Sequence, residues 1–403
     1  MTTNADSAND PAPHKAQEHR ALGTACGAHA LHDGYTDLIY VMLPIWQQEF
    51  GLGFAALGLM KTVFSGTLAG FQIPAGFLAE RFGTALVLAL GTALAGCGYI
   101  LAGFSHGVPL LIGALFVAGL GASTQHPLAS SLIAQAFAGK RSLKALGTYN
   151  FAGDIGKMTM PAAASLMFIV LPWRQAVGLL GGIGMLAAIA IYVVIPRLCE
   201  EVAAPAKPTI AANGKRPLRS YGFPLLLSIG VIDSATRMAF LTFLPFVLTA
   251  KGASLPTIGL SLTLVFAGGA AGKLVCALIG ARIGTIATVW LTEIVTALGI
   301  VALLPLSLEP ALVLLPVVGI ALNGTSSVLY GSVPELVDPA KRQRAFGIFY
   351  TGTIGAGAVS PALYGLLGDA LGVPQALMVV AAVVLLTLPV TLMLRPALKT
   401  ITT

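Results

Sequence analysis

Residues 29–46 read HALHDGYTDLIYVMLPIW, and they place His29, His32, Asp33 and Asp37 inside an apolar run that extends from Ala21 to Trp46. A helix that spans a bilayer needs about 20 mostly apolar residues, and this run is long enough. An ionisable group in mid-span costs about 3 kcal/mol or more unless it faces protein or a water-filled cavity, so such groups point to function. His29, Asp33 and Asp37 stand at i, i+4 and i+8 and share one helical face. At about 1.5 Å of rise per residue they cover roughly 12 Å of depth. The stripe has the chemistry of a proton- or cation-handling path. It needs a polar interior that other segments must build.

The composition supplies those segments. The chain has 403 residues, 56% of them hydrophobic and 10% charged, with a mean hydropathy of +0.86. Soluble domains carry about 25% charged residues, so the chain reads as a polytopic membrane protein. Membrane barrel strands are about 10 residues long and alternate in polarity; here the apolar runs are continuous and longer, so the spans are helical. The 47 glycines fit close helix packing in lipid. Cys26, Cys97, Cys199 and Cys276 are scattered without a CxxC pair and read as packing residues. The net charge of +7 sits at the ends of apolar runs, which argues against a nucleic-acid partner. Residues 1–20 are polar, contain Pro11 and Pro13, lack the pattern of a signal peptide, and read as a disordered cytoplasmic tail.

Twelve apolar segments can be marked, near 22–46, 54–78, 84–104, 109–134, 144–170, 175–196, 222–249, 255–280, 285–306, 310–334, 345–368 and 373–395. The longest polar interruption follows the sixth. The expected organisation is a six-helix unit over 21–196, a cytoplasmic linker at 197–221, a second six-helix unit over 222–396 and a tail at 397–403. Lys and Arg set the orientation. With the N-terminus inside, 17 of the 23 basic residues fall in cytoplasmic segments, only Arg174 and Lys251 lie outside, and Lys61, Lys157, Arg237 and Lys273 lie within spans. Both termini are therefore expected in the cytoplasm of a bacterial inner-membrane protein.

The two units repeat each other. Leu43-Pro44 recurs as Leu244-Pro245, Gly58-Leu59 as Gly259-Leu260, and Arg81-Phe82-Gly83-Thr84 as Arg282-Ile283-Gly284-Thr285, each 201 residues on. Gly147, Pro161 and Gln175-Ala176 recur 200 residues on at Gly347, Pro361 and Gln375-Ala376. An in-register set of this kind indicates two parallel repeats of six helices, an all-α integral membrane fold.

Between the second and third segments the chain reads Gly76-Phe77-Leu78-Ala79-Glu80-Arg81-Phe82-Gly83. This resembles the loop signature of the major facilitator superfamily, with a degenerate second copy at Arg282 and Gly284. Thr84 and Ala85 stand where a basic pair usually follows, and Ala281 stands where the acid of the second copy would be. The resemblance implies a gating role for Gly76, Glu80, Arg81, Gly83 and Arg282. The first segment, the stretch 54–83 and the pair His126-Pro127 are further similar to the fosmidomycin-resistance type of efflux transporter, which would imply proton-driven export of a small, anionic compound. Residues 110–131 lack the arginine that many proton-coupled drug exporters carry there, and the fifth segment lacks a Gly-Pro-Gly pattern.

The resemblance also implies that segments one, four, seven and ten line a central cavity. Asp33 is then the expected proton carrier, with His29 or His32 as relay near neutral pH and Asp37 continuing the path one turn outward or solvated there. Asp154 and Lys157 lie at i, i+3; either they pair with each other, or Lys157 meets an anionic substrate that Asp154 orients. Asp233 and Arg237 lie at i, i+4, almost opposite Asp33 in the repeat, since Asp233 stands 200 residues after it. Arg237 suits bidentate contact with carboxylate, phosphate or phosphonate, and Lys273 needs a carboxylate partner or an anionic ligand. His126 precedes Pro127, which kinks the helix and frees carbonyls toward a cavity. Asn150 and Tyr330 are further polar candidates. Glu293, in segment nine, is expected at the periphery.

The sequence thus describes a secondary transporter of a small anionic or zwitterionic solute or drug, proton-coupled and exporting. No nucleotide-binding loop and no enzyme constellation is present. No cofactor or resident metal is expected. The partners are a small-molecule substrate, protons and the lipid bilayer, and the chain is expected to be a monomer. Two rival readings stay open: a divalent metal-ion transporter that uses His29, His32, Asp33 and His126, and an importer or uniporter of an organic anion.

Overall fold

The computed structural model describes residues 11–137, 140–194, 221–338 and 341–399. Residues 1–10 of the expected N-terminal tail, residues 197–220 of the linker expected at 197–221 and residues 400–403 of the expected C-terminal tail lie outside them. Every regular element among the described residues is a helix: α1 (Pro11–Phe50), α2 (Phe54–Gly70), α3 (Gln72–Phe82), α4 (Thr84–Gly103), α5 (Val108–Ala122), α6 (Gln125–Ala136), α7 (Lys140–Val170), α8 (Trp173–Val194), α9 (Gly222–Ala250), α10 (Leu255–Ile283), α11 (Thr285–Leu303), α12 (Leu308–Leu336), α13 (Arg342–Leu371), α14 (Val373–Val384) and α15 (Thr387–Lys399). The pairs α2–α3, α5–α6 and α14–α15 each occupy one expected segment, so the helices fall onto twelve segments. The α2–α3 pair is bent by 42°.

Among the described residues nine helices are long and apolar enough to cross a membrane, or ten with α2 and α3 taken as one bent span. The two segments outside that set are α1 and α7, the helices that carry Asp33, Asp37, Asp154 and Lys157. Large apolar side chains such as Leu186, Leu298 and Val313 stand exposed, as they do where lipid is the solvent. One expected boundary moves: residues 11–20 extend α1, with proline at the helix start, where its missing N–H costs nothing. Glu18 there pairs with Arg141 of α7.

The repeat is visible in the backbone. Gly83 and Gly284 separate α3 from α4 and α10 from α11 with φ of 89° and 83°; Gly51 and Gly252 follow α1 and α9 with φ of 63° and 87°. A side chain is strained at such angles, and glycine is not. These glycines also mark the two ends of the molecule.

At the Gly51 end a single apolar core joins the halves, with Leu38, Trp46, Leu57 and Phe64 from one and Phe240, Phe243, Leu244 and Leu262 from the other. Toward the Gly83 end the core divides. Leu88, Leu132, Ile133 and Ile191 form one cluster, and Leu226, Ile229, Val289 and Phe349 form another. The halves are therefore packed together at one end and separate at the other. They meet along two seams, α2 with α13 and α7 with α10. Gly58 lies against the backbone of Pro361, Gly365 against that of Phe54, and Gly259 against Ser165 and Ala162. Phe54 packs edge-on to Phe246 at 5.1 Å, and Asp369 of α13 caps the start of α2.

Candidate functional site

The site begins with two helices that approach closely through small residues. A Cβ on Gly153 of α7 would lie 2.6 Å from His29 Nε2 and 2.7 Å from Asp33 Oδ2, and a Cβ on Gly34 of α1 would lie 2.7 Å from Met160 Cβ. The absent side chains let α7 press directly onto the polar face of α1.

Asp33 is the hub of that contact. It is 6% exposed. His29 Nε2 lies 3.2 Å from its Oδ2, Lys157 Nζ 3.3 Å from the same oxygen, and His126 Nε2 3.5 Å from Oδ1. The kinked fourth segment thus delivers His126 to the group anticipated from sequence.

The hydrogen-bond partners assign the tautomer of His29. Its Nδ1 lies 2.8 Å from the carbonyl oxygen of Tyr149. A carbonyl only accepts, so Nδ1 carries the hydrogen. In the neutral ring Nε2 is then an acceptor, yet it faces a carboxylate oxygen. Two acceptors make no hydrogen bond. One extra proton, on His29 or on Asp33, resolves the contact. The Tyr149 ring stacks on His29 at 4.1 Å and its hydroxyl accepts from Gln125 at 3.0 Å, so the imidazole is held in place.

His32 departs from the relay expectation. The Thr92 hydroxyl donates to Leu88 O at 2.8 Å, so its oxygen accepts from His32 Nε2, 3.0 Å away. His32 Nδ1 is buried without a partner. The ring ties α1 to α4 and does not reach Asp33. Asp37, which one reading left solvated, is buried at 5% exposure in the field of Lys157, Lys61 and Arg237. Lys61 donates to Thr36 O at 2.6 Å and sits 4.3 Å above the Tyr40 ring.

Asp154 and Lys157 do not pair with each other. Lys273 of α10 donates to Asp154 Oδ1 at 2.6 Å and Oδ2 at 2.8 Å, while Lys157 turns to Asp33. Three residues along a helix rotate the second side chain far enough to serve another partner, and the pair across the α7–α10 seam wins. Asp233 on α9 and Glu293 on α11, the latter expected at the periphery, are both buried. Arg237 Nε is buried without a partner. Tyr330 packs on Phe349 at 5.1 Å, with its hydroxyl 3.5 Å from that of Thr353. Asn150 is exposed. Glu80, Arg81, Gly83 and Arg282 stand exposed at the end where the halves part, and Gly76 lies half-buried beside them.

Tyr149, Gly153 and Thr92 take part in this arrangement without having been expected. A glycine one turn past a tyrosine carries no sequence signal for the polar group it admits. Among the described residues His29, Asp33 and His126 also form a set whose donor atoms lie within 4.8 Å of one another. That set lacks His32, and Lys157 already occupies one of its carboxylate oxygens, which disfavours a divalent ion.

Comparisons with known proteins agree with this architecture. The family model described as Major Facilitator Superfamily matches residues 25–228 and again 226–400. The fosmidomycin resistance protein of Escherichia coli (strain K12) is 25% identical over 355 residues, covering 86% of each chain. A probable L-galactonate transporter of the same organism is 26% identical over 245 residues, covering 57% of this chain and 54% of its own. Among solved structures, a bacterial homolog of the human lysosomal transporter Spinster, inward-facing and occupied, superposes with a TM-score of 0.76 at 15% identity, covering 94% of this chain and 97% of that one. These relatives are transporters and not enzymes. The two matches of the family model, the twelve helical segments and the paired glycine turns lead to one conclusion: the chain is a multi-pass membrane transporter belonging to the major facilitator superfamily.

Proposed function

We propose that the chain exports small organic anions across the bacterial inner membrane by alternating access coupled to protons, with both termini in the cytoplasm. The observation that carries the reading is the His29–Asp33 contact, which requires a proton that neither group holds in its ordinary state. Lys157 shares the same carboxylate, so a proton on Asp33 weakens the hold on a cation that faces the space between the halves. Lys157, Lys273 and Arg237 then supply positive charge for an anion, and the unpartnered Nε of Arg237 suits an oxyanion. Asp154 sets Lys273, and Tyr330 and His126 contribute polar wall.

The direction rests on the fosmidomycin resistance relative. With the basic segments inside, the packed Gly51 end is the periplasmic end and the divided Gly83 end is open to the cytoplasm, where an exporter loads. The two six-helix units at 21–196 and 222–396 rock about the α2–α13 and α7–α10 seams. Glu80, Arg81 and Arg282 close the cytoplasmic end in the opposite state.

The test is fosmidomycin flux in proteoliposomes under an imposed pH gradient. Native protein should move fosmidomycin against the proton flow, and Asp33→Asn should abolish the gradient-driven part. Undiminished pH-driven flux in Asp33→Asn would overturn the coupling role, and accumulation with the proton flow would assign import.

A further inference from the structure

The two seams at the shut Gly51 end use repeated positions but are filled differently. At the α2–α13 seam Phe54 packs against Phe243 at 5.9 Å and Phe246 at 5.1 Å. The 201-residue offset that relates α1 to α9 and α2 to α10 puts Leu255, Met42 and Ile45 at the corresponding places of the α7–α10 seam. Three aromatic rings are thus replaced by three aliphatic chains, and Phe168, at the repeat place of Gly368, returns one ring. The cap differs too. Gly53 offers α2 no side-chain cap, and Asp369 supplies one from the other half. Ser254 stands at the Gly53 place and accepts the N–H of Thr257, while Ile169 stands at the Asp369 place. Helix α10 therefore caps itself and calls on no residue of the other half.

The space left at this seam is a cavity of about 330 Å³, bounded by Ile45 and Gln48 of α1, Phe168 of α7, Trp173 of α8, and Leu255 and Ile258 of α10. Both halves form its wall. Ligand cavities run from about 300 to 1,000 Å³, so this one takes a single ring with a short substituent. Phe168 and Trp173 offer that ring aromatic contact. Among the described residues none of those lining the cavity is charged. The Trp173 N–H is spent on Glu49 at 2.6 Å, and Glu49 is paired with Arg174. A charged ligand would find its charge unanswered. Gln48 is exposed at the rim, where its amide can both donate and accept.

We propose that this cavity binds a small neutral aromatic molecule with one hydrogen-bonding group, such as a benzyl alcohol. Its ring takes the place that Phe54 fills at the other seam, and its polar group meets Gln48. A molecule held there touches both halves where they are shut. Opening that end pulls the wall apart, so the bound molecule favours the shut state and slows the cycle.

The probe is 4-bromobenzyl alcohol, whose bromine quenches tryptophan emission on contact. Trp173 in the wall should give the native protein a saturable quench above the linear one from probe dissolved in the micelle. Leu255→Phe installs here the ring that Phe54 supplies at the other seam, and should abolish the saturable part. Leu260→Phe adds the same ring at an exposed place on the same helix and should keep it. A purely linear quench in the native protein, or a saturable one that survives in Leu255→Phe, would overturn the site. A second measurement needs no variant. A benzyl alcohol carrying a trifluoromethyl-diazirine, photolysed on the native protein, should modify the peptides that hold Ile45, Trp173 and Leu255. Labelling there that excess benzyl alcohol does not displace counts against the site. The slowing rests on the reading of the protein as an exporter of small anions. Probe concentrations that saturate the quench should slow fosmidomycin flux through native protein but not through Leu255→Phe. Undiminished native flux would remove the clamp. If native protein moves no fosmidomycin at all, the export reading fails, and the quench still decides the site.

Discussion

The carboxylate of Asp369, at the end of α13, accepts the backbone N–H of Phe54 at 2.6 Å and that of Ala55 at 3.0 Å, at the start of α2 in the other half. A helix in one repeat is thus capped by a side chain from the other. The cap exists only while the Gly51 end is shut. A cap is worth about 1 kcal/mol, roughly a fivefold change in a two-state population. Asp369→Ala should raise opening at that end by about this factor. The measurement is the rate at which an impermeant maleimide labels Ile45→Cys in a cysteine-free background; Ile45 lines a cavity with Pro44, Gln48 and Trp173 at the same end of the molecule, beside the other seam. An unchanged rate would remove Asp369 from the gate.

Gly153→Ala should disable the Asp33 cluster without unfolding the protein. Its Cβ would arrive 2.6 Å from His29 Nε2, and overpacking of this kind costs about 1–3 kcal/mol. Gly147 lies on the same helix, where a Cβ would meet nothing within 4 Å, so Gly147→Ala is the control. Thermal unfolding and proton-driven flux should both fall in the first variant and stay near native in the second.

His29 and His32 should separate by pH. His29→Gln removes the ring whose second nitrogen meets Asp33, so the pH profile of transport should shift. His32→Gln breaks a bond to Thr92 worth about 1 kcal/mol and should lower the melting temperature while leaving the pH profile in place. A shifted profile in His32→Gln would return that residue to the relay.

The Asp154–Lys273 pair crosses the α7–α10 seam, but the lysine side chain is 41% exposed. Such a pair is worth about 0.2–1 kcal/mol. A double-mutant cycle with Asp154→Asn and Lys273→Gln, read by thermal unfolding, should return a coupling in that range that shrinks as salt is added. A coupling of about 3 kcal/mol would mean that the pair is sealed from water.

Much of this was legible in the chain. Periodic apolar runs gave the segments because a backbone in lipid must satisfy its own hydrogen bonds. The 200- and 201-residue offsets gave the repeat, and Asp33 stood out because a charge in a span is costly. The partners of those charges were harder to read. Spacing reports that Asp154 can reach Lys157, but not that Lys273 reaches Asp154 from the other half. The same limit hid the burial of Glu293, which is 1% exposed although no local pattern marks it. His32 shares the first helix with Asp33, yet the 3.6-residue turn points it at Thr92. Gly153 was silent because its contribution is a space.

The glycine-lined seams bear on how fast the two halves can move. Where Gly58, Gly259 and Gly365 meet the opposite half, the sliding surfaces are mostly backbone. Backbone has no rotamers to freeze or release, whereas a seam of long side chains would lose up to about 2 kcal/mol of entropy for each one ordered. Rocking across these seams thus exchanges one set of near-identical van der Waals contacts for another, with little friction from side-chain rearrangement. Long side chains that would have to rearrange are concentrated instead at the charged centre, where Lys157 meets Asp33 and Lys273 meets Asp154.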